Sequence, residues 1–265
     1  MREDVLAGPA PLVRIDHRGP ATWITLDSPA NRNALSRRLV HGLAGALDEA
    51  AGRGARLVVL TGAGNTFCSG ADLGERLHPP ATGAPPHPEV TVAGLLTRIA
   101  QAPLPVLARV NGHVRAGGMG LVAAADLAVA PMTATFGFSE VRVGVAPAMI
   151  AVPALRVMTT RALQRHMLTG EPFAADEAER SGLLTQAFAT PAEMDGWIST
   201  MTETLGMGAP GAVAATKQLL SQLRNRDWDE GMRLAEARSD QLFDSAEASE
   251  GMRAFLEKRR PRWWV

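Results

Sequence analysis

Twice in this chain a short apolar run, broken in the second case only by Arg109, leads into glycines. Leu57-Val58-Val59-Leu60 leads into Thr61-Gly62-Ala63-Gly64, and residues 105–110 lead into Asn111-Gly112 and then Ala116-Gly117-Gly118-Met119-Gly120. Runs that are apolar throughout read as strands buried on both faces of a sheet. The glycines beyond them allow tight turns and bring bare backbone amides toward a cleft. Residues 127–130 form a third such run. Recurring strand–loop–helix units of this kind predict a stacked α/β architecture. No fixed period relates them, which argues against a simple repeat protein.

The rest of the chain fits around that pattern. Residues 12–15 and 22–26 read as strands joined by the turn Arg18-Gly19-Pro20, hence a hairpin. Over residues 36–51 the spacing of Leu39, Leu43, Ala46, Leu47 and Ala50 predicts a helix with Ser36 as its N-cap. The Ala-rich stretch 121–125 predicts another helix. Residues 79–88 hold five prolines in ten positions and read as a surface loop. From about residue 191 the chain reads as helical, which divides it into a core of residues 1–190 and a helical region of 191–265.

Composition narrows the class. With 265 residues the chain buries a sizeable core without disulfides, and 27 Lys and Arg balance 27 Asp and Glu. Zero net charge argues against bulk binding of nucleic acid, even with Lys258-Arg259-Arg260 and Arg262 clustered near the C-terminus. The single cysteine, Cys68, predicts a reducing compartment; as a nucleophile it has no basic neighbour in sequence and reads as packing. No apolar run reaches membrane-span length, and residues 1–11 have no secretory apolar core, so a cytoplasmic protein is expected. The six histidines show no paired metal spacing, and there is no tyrosine to act as an acid.

The glycine-rich loops carry the chemistry. After the first apolar run, G-x-G resembles a dinucleotide fingerprint, but the third glycine falls on Phe67. In the second loop, small residues at a helix start leave N–H groups uncovered where the helix dipole adds positive potential. Two such amides from two loops suit an oxyanion, such as a developing enolate. Glu140 follows the apolar stretch 134–138; a carboxyl in such surroundings is held protonated more tightly, which suits general acid–base work. An exposed glutamate at a strand end is the alternative reading.

Taken together, Thr61-Gly-Ala-Gly-Asn-Thr-Phe-Cys-Ser-Gly-Ala-Asp-Leu73, the stretch 111–126, Phe136-Gly-Phe-Ser-Glu-Val-Arg-Val-Gly144 and the tail from Glu250 to Pro261 resemble the enoyl-CoA hydratase/isomerase (crotonase) family. The resemblance spans essentially the whole chain. It implies a ββα spiral core with a helical C-terminal trimerisation region, either as a trimer or as two stacked trimers. It implies an acyl-CoA thioester substrate, with coenzyme A part of that substrate and no separate cofactor or metal. By position in the motifs, the two oxyanion amides fall on Ala71 and Gly117, and the acid–base residue on Glu140. Family hydratases commonly use two glutamates, and the first of those positions is Gly120 here. Hydration through Glu140 alone, isomerisation by a Glu140 proton shuttle, and catalytically weak acyl-CoA binding all fit that departure.

For the substrate, the resemblance points to Asp72, Leu73, Gly74 and Gly118 beside the amides, Arg32 near the CoA phosphates, and Phe255 and Lys258 reaching a CoA bound largely by a neighbouring subunit. Asp72 reads equally as a helix cap, and Arg32 as a solvated charge. Asn65 stands where the family carries a lysine. Arg115 could face an acyl carboxylate or solvent, His113 could line the pocket, and Asp126 reads as structural.

Overall fold

A computed structural model describes residues 10–78 and 90–264. The first hairpin is β1 (Val13–Arg18) and β2 (Ala21–Leu26), followed by α1 (Arg37–Gly52), β3 (Leu57–Gly62), β4 (Thr66–Cys68) and α2 (Leu73–Leu77). Next come α3 (Val92–Gln101), β5 (Val106–Arg109), β6 (His113–Arg115), α4 (Gly117–Ala124), β7 (Leu127–Pro131) and β8 (Thr135–Gly137). The remainder comprises α5 (Ala148–Val157), α6 (Thr160–Thr169), β9 (Phe173–Ala174), α7 (Ala175–Arg180), β10 (Gln186–Phe188), α8 (Pro191–Met207), α9 (Pro210–Leu223), α10 (Trp228–Phe243) and α11 (Ala246–Leu256).

The strands divide between two sheets in alternation. One sheet runs β1-β2-β3-β5-β7-β10 and the other β4-β6-β8-β9. Three successive strand pairs, β3/β4, β5/β6 and β7/β8, each give one strand to the larger sheet and the next to the smaller. That is a spiral of ββα turns. The strands of the larger sheet are fully apolar where the spiral is deepest: Leu57, Val58, Val59, Leu60, Val106 and Leu107 have no exposed surface. One face packs on α1 and α3, the other on α8, whose Met194 and Ile198 meet Leu57, Val59, Leu107 and Val129. Every large apolar side chain buried here adds about 1.5–3 kcal/mol, so both faces are covered by necessity.

The predicted hairpin and first helix are present. Ser36 Oγ accepts from Leu39 N at 3.3 Å, and the five spaced apolar residues of α1 are buried. The helix expected over residues 121–125 instead begins at Gly117. Glycine is a poor helix former, but α4 is buried all round, and tertiary packing overrides propensity there. Among the described residues no helix is long and apolar enough to cross a membrane. The proline-rich loop at 79–88 lies outside the described residues.

Candidate active site

Three neighbouring parallel strands of the smaller sheet, β4, β6 and β8, all end at one edge. Ligand sites of parallel α/β sheets gather at such carboxyl ends. Ala71 lies three residues beyond the end of β4, Gly117 two beyond β6, and Glu140 three beyond β8. The sequence-predicted amides and acid thus occupy equivalent positions on adjacent strands. A cross-link ties two of the exits together: Ala116 N donates to Gly137 O at 2.9 Å.

The first two loops are in direct contact. A Cβ placed on Gly117 would lie 3.6 Å from Ala71 N and 2.9 Å from Leu35 Cδ1. Gly70, at φ +94°, occupies the left-handed region, and a Cβ on it would stand 2.6 Å from Ala116 Cβ and 3.0 Å from Gly117 N. No side chain fits there, so glycine is what lets the two amides approach. Leu35 N donates to Gly70 O at 2.7 Å and fixes the peptide that precedes Ala71. Among the described residues neither Ala71 N nor Gly117 N donates to any protein acceptor. Gly117 is the first residue of α4, and its N-cap, Ala116, offers no side-chain acceptor.

Ala116 holds φ 47° and ψ −123°, a strained conformation for a residue with a Cβ. Strain of about 1–3 kcal/mol at a single residue persists only where its surroundings enforce it. Here they do: the Gly137 carbonyl takes the Ala116 N–H, and Ala116 O accepts from Met119 N at 2.8 Å. The result turns the chain so that α4 begins abruptly with bare amides at its positive end.

Glu140 sits in a single 3-10 turn, Ser139–Val143, anchored by buried Phe138 and closed by Gly144 at φ 79°. Its Oε2 is buried without a hydrogen-bond partner. Burial pushes its carboxyl above the ordinary 4.5, against a smaller lowering by a backbone hydrogen bond. An orphaned buried carboxyl oxygen is a costly arrangement for structure alone.

The remaining sequence-predicted residues divide. Asp72 caps α2, its carboxylate accepting from Gly74 N, Glu75 N and Asn31 Nδ2. Leu73 and Gly74 are exposed on the first turn of α2, beside Ala71. Gly118 packs on the first loop, where a Cβ would meet Cys68 O at 2.7 Å. Arg32 is exposed, at φ 56°. Phe255 and Lys258 lie on the C-terminal segment; α11 packs on α10, whereas α3, α5, β4 and β6 frame α4.

Arg115 is half-buried and held by the protein itself. Its guanidinium donates to Val114 O, Thr135 O and Thr135 Oγ1, stapling β6 to β8. His113 Nδ1 shares Thr135 Oγ1 at 2.9 Å. Cys68 is buried, and burial pushes its thiol up to about 12, so it is inert packing.

Sequence reasoning missed Asn33 and Lys217. Asn33, fully buried at φ 56°, accepts from Ser28 N and donates to Ala63 O and Thr66 O, holding the first loop in place. Its signal was available: asparagine tolerates the left-handed region better than most residues. Lys217 Nζ donates to Ile99 O, Leu104 O and Asp126 Oδ2, while Asp126 also accepts from Val106 N. A cavity of about 570 Å³ lies there, at the C-terminal end of α4, lined by Leu96, Ala124, Val152, Arg156 and Arg224 among others.

These features define a crotonase-type fold. Solved structures agree: an enoyl-CoA hydratase/isomerase from Marinobacter aquaeolei superposes with a TM-score of 0.87 at 27% identity, covering 96% of this chain and 99% of that one. Pseudomonas aeruginosa AtuE does so at 0.87 and 32% identity, over 96% and 100%. A putative enoyl-CoA hydratase of Thermus thermophilus is 34% identical over 249 residues, 93% of this chain and 98% of that protein. The family model for enoyl-CoA hydratase/isomerase matches residues 19–264, and the chain belongs to that family.

Proposed function

We propose that the protein adds water across the 2,3 double bond of an enoyl-CoA, with Ala71, Gly117 and Glu140 as its catalytic groups. The observation that carries this reading is the shared edge of β4, β6 and β8, from which all three project. The thioester oxygen accepts from the Ala71 and Gly117 amides. Glu140, ionised, takes a proton from water as the hydroxyl adds to carbon 3. Charge moves onto the thioester oxygen, where fixed donors stabilise it without reorganising. The carboxyl, now protonated, returns its proton to carbon 2, and all atoms of the water end on the product. A raised carboxyl holds that proton readily between the two steps.

Arg32, Asp72, Leu73, Gly74 and Gly118 are assigned to the acyl-CoA on this side of the site. Phe255 and Lys258 serve a CoA held by a neighbouring subunit in a trimer or a pair of trimers. Their exposure, 82% for Phe255, supports a role outside the single chain. A second reaction is supported by the lone glutamate: a Glu140 shuttle between carbons 4 and 2 would isomerise a 3-enoyl-CoA without water. A panel of 2-enoyl- and 3-enoyl-CoAs separates them. Hydration removes the conjugated enoyl-thioester absorbance, whereas isomerisation of a 3-enoyl-CoA creates it. Loss with 2-enoyl substrates is expected, and absorbance gained only with 3-enoyl substrates would replace the reading.

A further inference from the structure

Position 120 lies one turn past Gly117 in α4, on the same side of the helix. Gly120 is buried. A Cβ built on it would stand 2.7 Å from Ile150 Cγ2, 3.3 Å from Ile150 Cβ and 3.2 Å from Leu96 Cδ1. Close-packed interiors do not admit a 2.7 Å carbon contact, so even alanine requires Ile150 to shift. Ile150 has little room to do so. It is 3% exposed in α5, close in sequence to buried Pro153 and Ala154, and β-branched residues are stiff at χ1 in a helix. Leu96, from α3, is 6% exposed on the other side. Two helices therefore fill, from outside, the volume that a side chain at 120 would take.

We infer that Ile150 is the residue that fixes this as a one-carboxyl site. By filling the space at position 120, it keeps the wall beside the first turn of α4 apolar and leaves proton movement to Glu140. The inference rests on the reading of Ala71, Gly117 and Glu140 given above. It predicts that the effect of any side chain at 120 depends on Ile150. With Ile150 present, a carboxyl at 120 is misplaced. With Ile150 trimmed, it enters the wall one turn from Gly117 as a second acid–base group.

The experiment is a pair of double-mutant cycles. Gly120→Ala, Ile150→Ala and their combination are compared by thermal unfolding. Gly120→Glu, with and without Ile150→Ala, is compared by hydration rate and its pH profile. Gly120→Ala alone is expected to lower Tm by about 3–10 °C through overpacking. In the Ile150→Ala background the same change is expected to leave Tm level or raise it. Gly120→Glu is expected to slow hydration beside Ile150. In the trimmed background it is expected to speed hydration by about tenfold or more, with a second ionisation in the profile.

Equal effects in both backgrounds would overturn the inference, as would a Gly120→Glu protein as stable and active as the parent. If Gly120→Glu alone is too unstable to purify, that agrees with the inference, and the alanine cycle decides it. Full turnover in Glu140→Gln would sink the assignment of the base instead, and would leave the Tm coupling untouched.

Discussion

The two ends of α4 are built on opposite plans. At its N-terminal end, two amides lack acceptors among the described residues, and beyond the adjacent strand β8 a glutamate oxygen is buried without a donor. At its C-terminal end, where the large cavity lies, polar groups are paired. Asp126 and Lys217 bond to each other, to three backbone groups and to no free partner of opposite charge. Burial raises the Asp126 carboxyl and lowers the Lys217 ammonium, and their mutual attraction opposes both shifts. Buried polar atoms without hydrogen-bond partners also occur at Thr61, His166 and Glu171, so the contrast teaches that an unpaired atom points to chemistry only where strand exits and bare amides converge with it, and that cavity volume alone does not.

The sharpest way to break the comparison is Glu140→Gln. If the orphaned carboxyl is the acid–base group, turnover falls by about 10²–10⁴-fold while the fold is kept. The same variant carries a stability signature. Its folded-state value lies above 4.5, so the native protein binds the proton more tightly than the unfolded chain does. That contribution is present at pH below 4.5 and is lost as pH rises from there through the folded value. Glu140→Gln is therefore expected to raise Tm near neutral pH, with the gain vanishing in acid. A variant that is inactive because it is unfolded would show the reverse.

Next in size is the amide itself. Proline is accepted at the first position of a helix but has no N–H, so Gly117→Pro removes the donor. A loss of about 10²–10³-fold in kcat is expected, with helical circular dichroism retained. Gly117→Ala keeps the donor and is expected to lose much less, since the added Cβ comes too close only to the flexible end of Leu35, at 2.9 Å, and stands at ordinary contact distance from Gly70 Cα and Ala71 N. Equal losses in the two variants would mean that space, not the hydrogen bond, matters at 117.

The opposite end answers in stability rather than rate. Lys217→Met leaves Asp126 without its partner, at a cost of about 2–3 kcal/mol after allowing for Asp126's partial exposure, or about 4–10 °C in Tm. Turnover by the remaining folded protein should change little. The smallest effect expected is at Ala116. Glycine there relieves the positive φ and should raise Tm by about 1–3 °C. Ala123→Gly, in the interior of the same helix, should lower it.

Much of this was legible before any coordinates. The deep strands β3, β5 and β7 announce themselves as apolar runs, and α1 by its spacing and Ser36. The three-residue strands β4 and β6 do not: each is too short to display a period, so both read as loop. With them hidden, the ββα spiral could not be read from spacing, because the turns differ in length even though their strand pairs alternate regularly. The glycine-rich motifs pointed to Ala71 and Gly117. They did not reveal that Ala116 is strained to aim one amide, or that Ile150 closes position 120. Both depend on contacts between segments distant in sequence, which no local pattern encodes. Arg115 taught the same lesson: only pairing of β6 with β8 shows that Thr135 takes its guanidinium.

The central claim is that two main-chain N–H groups hold the thioester oxygen. The carbonyl stretch of a bound acyl-CoA, read by infrared difference spectroscopy in the parent and in Gly117→Pro, tests it most directly. Two donors polarise the C=O bond, so binding to the parent should shift the band to lower frequency, and removal of one donor should reverse much of that shift. An identical band position in both proteins, with the ligand bound in each, would contradict the account.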